Sequence, residues 1–205
     1  MPTENRTQSV DLRRARRTRG VEAVLDTALA FLREGISEPT ADQLAERAGV
    51  STSSLFRYFE SIDDMRSQAA ARLIERHGDL IRSSPTPDAD LGARIDEFVE
   101  VRLRVGEHFG PMMTTLQARV NTDELSPLLA QFRTPLWEMP DRYFGPELAT
   151  LTQARRAELA ALVDTLTSIE AWRHLTTSHG RTPRQTKRAW ASAVGILIED
   201  YTRAG

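Results

Sequence analysis

The sequence predicts an all-α fold in two parts, an N-terminal three-helix domain over 1–60 and a larger helical domain over 61–205. Three observations lead there. Apolar residues recur at i, i+3, i+4 spacing along most of the chain, the sustained alternation of a half-buried strand is absent, and helix-capping residues stand at segment ends. Of 205 residues, 40% are apolar and 27% charged, ordinary for a soluble globular protein with a sizeable core. The chain has no cysteine, which excludes disulfides, thiolate metal sites and cysteine nucleophiles. No stretch approaches the ~18 consecutive apolar residues of a membrane span, and the polar, arginine-rich N-terminus has no signal-peptide core. A cytoplasmic protein with no membrane partner is expected.

The elements follow in order. Val21, Val24, Leu25, Ala28 and Leu32 share one face of a first helix over 16–34, with Gly35 placed to end it. Thr40 and Gln43 have capping-box spacing and open a short second helix with Leu44, Ala45 and Ala48 inward and Gly49 at its end. Ser51 caps a third helix that turns Leu55 and Phe59 inward. Ser61 and Asp64 repeat the capping pattern and start a long fourth helix carrying Met65, Ala69, Leu73, His77 and Leu80. Residues 83–88, with two prolines, read as a loop.

A fifth helix with Leu91, Ile95, Phe98, Val99 and Arg102 is expected to stop at Gly110-Pro111. Pro111, Pro127, Pro135, Pro140 and Pro146 predict short or kinked helices over 111–150. Leu159, Leu162, Val163, Leu166, Ile169, Trp172 and Leu175 predict one helix running to His179-Gly180. Thr182-Pro183, with Gln185, starts the last helix, whose stripe is Trp190, Ala193, Val194, Leu197, Ile198 and Tyr201. Opposite lie Ala189, Ser192, Gly195 and Ile196. Such a helix suits either a dimer interface, packed on two neighbours, or a plain buried core.

The formal net charge of −2 points to no nucleic-acid partner, but its distribution is uneven. Residues 1–20 hold six arginines against Glu4 and Asp11, a basic arm that phosphates would reward or else a solvated tail. Two short helices between Thr40 and Phe59, joined by Ala48-Gly49-Val50-Ser51, make a helix-turn-helix in which glycine permits the positive φ of a steep turn. Thr52, Ser53, Phe56 and Arg57 face away from Leu55 and Phe59. They form a small, hydroxylic, aromatic and cationic face suited to a DNA major groove.

The run from Leu44 to Ser61, LAERAGVSTSSLFRYFES, resembles the DNA-binding signature of the TetR family of bacterial regulators, and the resemblance covers about residues 15–66. It implies a DNA-binding transcriptional regulator, a homodimeric repressor released from a palindromic double-stranded operator by a small hydrophobic effector, with no cofactor and no catalysis. By position it implies that Thr40 contacts phosphate, Thr52 and Ser53 read bases, and Ser54 and Tyr58 anchor phosphates. Phe56 stands where the family usually has tyrosine, and Arg57 reaches guanine or phosphate. Ser51, as the cap, belongs to the same DNA-facing set. Arg13, Arg14, Arg16, Arg17 and Arg19 of the arm add phosphate or minor-groove contacts. The family's phosphate-binding lysine at the start of helix four is replaced by Ile62, with Asp63 and Asp64 after it, and Asp42 is also acidic on the DNA side.

The resemblance further implies a four-helix dimer interface from about 152–179 and 182–203, with Leu162, Leu166, Ile169, Trp172, Trp190, Val194, Leu197 and Ile198 in it. Phe98, Phe109, Met112, Met113, Leu116, Trp137 and Tyr143 are candidate walls of an effector pocket, or plain core. Glu170 and His174 share a helix face at i, i+4, but two residues make no metal site. No arrangement of serine, histidine or carboxylates has the context of a catalytic site.

Overall fold

The chain, seen in a computed structural model, is described at residues 3–36, 38–117 and 126–203, with side chains at 12–36, 38–113 and 130–203. Among the described residues all regular structure is helical, as the all-α reading expects. No described helix is long and apolar enough to cross a membrane. The chain forms two compact units, Met1–Glu75 and Arg76–Gly205.

The first unit holds α1 (Thr3–Arg33), α2 (Ala41–Ala48), α3 (Thr52–Tyr58) and the beginning of α4 (Ile62–Ile81), which continues into the second unit. Its core joins Val24, Leu25, Leu44, Leu55, Phe59 and Met65, each 5% exposed or less. The basic segment is not an extended arm: α1 begins at Thr3 instead of residue 16. The physical reason is local, because 3–19 contains neither proline nor glycine and is rich in arginine, a good helix former. Thr40 caps α2 through the full capping box with Gln43. Gly49 takes the left-handed conformation (φ 67°) and donates its N–H to the carbonyls of Ala45 and Glu46. Arg47 ties α2 to the end of α1 with two hydrogen bonds to Glu34, at 2.6 and 2.5 Å, and lies 4.6 Å from the centre of the Phe31 ring.

The second unit contains α5 (Leu91–Gln117), α6 (Ser126–Trp137), α7 (Met139–Leu148), α8 (Gln153–Leu166), α9 (Ile169–Arg173), a π-helical turn (His174–Ser178) and α10 (Pro183–Arg203). Two expectations need correction here. Gly110-Pro111 does not end α5, which runs six residues further to Gln117. Gly110 removes the Cβ that would clash before a proline, and the Trp172 ring covers this stretch. A Cβ at Gly106 or at Gly110 would lie 2.5 Å from that ring. The single helix predicted to His179 is instead broken at Thr167-Ser168. Thr167 is 1% exposed, and Ser168 starts α9 afresh by accepting from the Ala171 N–H. The prolines of 126–148 do give short helices, with a kink at Phe144 ahead of Gly145-Pro146.

Arg102 explains the break. Its guanidinium is buried among α5, α6 and α8, and only acceptors can make that tolerable. Nε donates to both the carbonyl and the hydroxyl of Thr167 at 3.0 Å, and Nη2 donates to the carbonyl of Asp164 at 2.9 Å and to its carboxylate at 2.5 Å. Nη1 reaches the Leu136 carbonyl at 3.4 Å. Burial pulls the Arg102 pKa down, opposed by the Asp164 charge.

A second buried arginine, Arg94, donates to the Tyr143 carbonyl at 2.7 Å and grips Glu147 with two bonds of 2.8 and 2.5 Å. Burial pushes the Glu147 carboxyl up, but the Arg94 hydrogen bonds and charge outweigh it and hold the pKa below the ordinary 4.5. Glu147→Ala leaves Arg94 buried without its counter-charge and is expected to cost about 3 kcal/mol at pH 7. A carboxylate with a depressed folded pKa contributes in full above its unfolded value and loses that contribution as pH falls through the folded one. Urea titrations of both proteins at pH 7 and pH 3 therefore check the assignment: the gap between them must close at low pH.

Candidate nucleic-acid interface

The helix-turn-helix is built by three local devices. Gly49 turns the chain, Ser51 caps α3 by accepting from the Ser54 N–H at 3.1 Å, and Leu55 with Phe59 drives α3 onto the core. The outer surface of α3 is left with Ser53, Phe56 and Arg57 exposed and Thr52, Ser54 and Tyr58 half-buried.

Tyr58 has a specific seat. Its ring rests on α1 at Gly20, where an added Cβ would come within 2.7 Å of the hydroxyl oxygen. Only glycine leaves this room. The Arg57 guanidinium lies 5.8 Å from the Tyr58 ring centre and donates to Ser54 Oγ at 3.1 Å. Ser51 Oγ donates to Ser54 Oγ at 2.9 Å and lies 3.0 Å from Ser53 Oγ. Thr52 donates its hydroxyl proton to Asp42 of α2 at 2.8 Å.

Between α1 and the α2–α3 turn lies an open concavity of about 980 Å³. It brings together Arg13, Arg16, Arg17, Arg19, Ser51, Ser54, Arg57 and Tyr58 from the expected DNA-facing set, with Gly20, Ala23, Ala48, Gly49 and Val50 between them. Among the described residues, five guanidinium groups and no carboxylate line it. Its volume would suit a small molecule, but its openness and single-signed charge suit a polyanion better. Arg14, Thr40, Thr52, Ser53 and Phe56 lie outside it. Arg13 to Arg19 stand on a helix and not on an extended segment.

The acidic start of α4 has its own structural work. Asp64 accepts from the Glu60 N–H and from Gln68 Nε2, both at 3.0 Å, and donates its own N–H to Ser61 Oγ. Asp63 pairs with Arg66 at 2.9 Å. Ile62 is half-buried and offers no hydrogen bond to a phosphate.

In the second unit, the candidate pocket walls divide. Phe98, Phe109, Met112, Met113 and Tyr143 are at most 3% exposed, and Phe98 packs ring to ring on Tyr143 and Phe144, Phe109 on Phe132. Trp137 is 57% exposed, and the Leu116 side chain lies outside the described residues. Met113 and Trp137 border a cavity of about 70 Å³ beside Arg102, Arg133, Asp164, Thr167 and Glu170. Polar and charged side chains share its lining with Val105, Phe132, Leu136 and Ile169. The interface candidates divide too. Trp190, Val194 and Ile198 are at most 1% exposed and Ile169 9%, because the α10 stripe covers its own unit. Trp172 is engaged on α5, and Leu166 and Leu197 are half-buried. Leu162 remains 42% exposed, and Ile196, on the opposite face of α10, 63%.

Sequence reasoning missed two contributors. Gly20 carried a signal, since a glycine inside a helix costs about 1 kcal/mol against alanine and needs a reason. The Asp42–Thr52 bond carried none, because it joins residues ten apart on different helices.

Residues 24–69 match the family model of the bacterial regulatory proteins of the tetR family. Among curated proteins, none matches the chain in sequence. Two crystal structures resemble it in fold. One, from Rhodococcus sp. and described as a TetR-family transcriptional regulator, is 17% identical, with a TM-score of 0.59 over 87% of this chain and 98% of the other. The second, a transcriptional regulator from Rhodococcus sp. Rha1, is 18% identical, with a TM-score of 0.61 over 90% and 96%. At that identity the likeness speaks for the fold.

Gly20→Ala tests the Tyr58 seat. The ring is the far end of a side chain and swings away, so stability is expected to hold or rise by up to about 1 kcal/mol through helix propensity. Tyr58 should then nitrate faster with tetranitromethane, read by mass spectrometry. An unchanged Tyr58 rate would show that the ring does not depend on Gly20.

Proposed function

On the premise that residues 24–69 make this chain a DNA-binding regulator of the tetR family, we propose that it is a homodimeric repressor, released from a palindromic operator by a small effector. The observation that carries the DNA-binding part is the juxtaposition of the α3 face with a concavity lined by five arginines and, among the described residues, by no carboxylate. α3 enters the major groove through Thr52, Ser53, Phe56 and Arg57. Ser54 and Tyr58 fix its depth against the phosphates, and Thr40 and Arg13 to Arg19 hold the flanking backbone.

The outer faces of α8 and α10 support dimerisation. Ala154, Ala161 and Leu162 on α8, with Ala189, Ser192 and Ile196 on α10, are exposed, small or apolar, and spaced by helical turns. A dimer formed there would present one copy of α3 to each half of a palindromic operator. The effector enters beside Arg102, where the cavity of about 70 Å³ is smaller than a ligand site needs and must widen on binding. α4 spans both units and is the element through which that change reaches α3. The tight packing of Phe98, Phe109 and Tyr143 also favours a second reading, a regulator without an effector. Loss of operator binding on adding a ligand separates the two.

Selection of bound sequences from random duplex DNA is the first test. The expected product is a palindrome with half-sites one helical turn apart; no enrichment by folded dimer would end the reading. The variant R13A/R16A/R17A/R19A should weaken binding to all sequences alike and lower the slope of log K against log salt by about 3–4, near 0.9 for each lost phosphate contact. An unchanged slope would mean that α1 stays clear of the DNA.

A further inference from the structure

The exposed part of α3 has two edges with different chemistry. One, Ser54 and Tyr58, is turned to α1 and to the arginine concavity. The other, Thr52 and Phe56, one helical turn apart, lies outside that concavity, and Thr52 ties it to α2. On this second edge the capacity to donate a hydrogen bond is missing. Thr52 has one hydroxyl proton, and an ionised carboxylate can only accept. The 2.8 Å bond to Asp42 therefore takes that proton. What Thr52 keeps is a methyl group and the two lone pairs of its oxygen, which accept but cannot donate. Phe56 has no polar side-chain atom, yet it stands 54% exposed on an otherwise hydroxylic and cationic surface.

In the major groove the thymine C5-methyl is the only apolar feature a base presents, whereas guanine shows two acceptors, N7 and O6, that want donors. We propose that Thr52 and Phe56 read thymine methyl groups by apolar contact, and that Asp42 is a positioning residue that commits the Thr52 hydroxyl and so excludes guanine there. This rests on the reading of α3 as the recognition helix. It also accounts for a carboxylate on the DNA side of a protein that must approach a polyanion. Asp42 removes the one donor with which Thr52 could satisfy guanine, and its own oxygens repel guanine's acceptors.

The test uses the full-length protein and a duplex recovered by selection from random sequence. Each thymine of a half-site is replaced in turn by deoxyuridine, which removes only the methyl. Binding is expected to fall about fourfold at each contacted position, the worth of one buried methyl. Two variants of one residue then separate methyl from hydroxyl. Thr52→Val keeps the methyl but removes the hydroxyl that Asp42 holds, and whatever its affinity it is expected to keep the deoxyuridine effect at the same position. Thr52→Ser keeps the hydroxyl and its Asp42 bond, and is expected to lose about fourfold and become indifferent to deoxyuridine at one position. Phe56→Ala should do the same at another. Affinity unchanged by every deoxyuridine, or a deoxyuridine effect that Thr52→Ser keeps and Thr52→Val loses, overturns the proposal and leaves α3 a recognition helix of another kind. If folded protein selects no duplex at all, the recognition-helix reading falls and this proposal with it.

Discussion

A helix of seven residues cannot hold itself together in water, since so short a segment barely outlasts its own nucleation cost. Everything α3 does therefore depends on being pinned by its surroundings. Leu55 and Phe59 anchor it to the core, Ser51 accepts from the Ser54 N–H in its first turn, Tyr58 is seated on α1, and Thr52 is tied to α2. Each restraint acts on a different side of the helix. The result is a short element held to one orientation, and such preorganisation is what a reading surface needs if its few side chains are to meet base edges in a fixed register.

The second unit is organised by the opposite problem, a charge that has been taken out of water. Arg102 needs acceptors on every side, and helices keep their carbonyls to themselves except near their ends. The break at Thr167-Ser168 supplies carbonyls where the guanidinium can reach them. Thr167 compensates its own departure from the helix by donating its hydroxyl back to the Val163 carbonyl at 2.7 Å. The small cavity lies beside this network, where any group that competes for Arg102 or Asp164 would disturb α5, α6 and α8 together.

The helix-turn-helix was legible in the sequence because its determinants are local. Thr40 with Gln43, Gly49 and Ser51 all act within three or four residues. What was not legible depends on distance. Arg102 meets partners 34 to 65 residues away, and Thr167 and Ser168 sit inside a run whose apolar spacing is helical on both sides. Likewise, α5 passes Pro111 under cover of a tryptophan from another helix. The amphipathic stripe of α10 reports that one face is apolar, but not whose surface that face covers; Trp190, Val194 and Ile198 are buried within their own unit. The start of α1 was missed for another reason: a basic segment reads as a solvated tail although nothing in it breaks a helix.

That last point changes the thermodynamics of any encounter with a polyanion. A disordered arm loses roughly 1–2 kcal/mol of backbone freedom for each residue it orders on binding, which shows up in calorimetry as a large adverse entropy. In α1 the residues from Arg13 to Arg19 are already ordered, on the same rigid rod that carries Val24 and Leu25 into the core. The ordering cost was met when the protein folded. Contact with a phosphate backbone then resembles the docking of two rigid bodies, in which the entropy of displaced counterions appears almost undiminished.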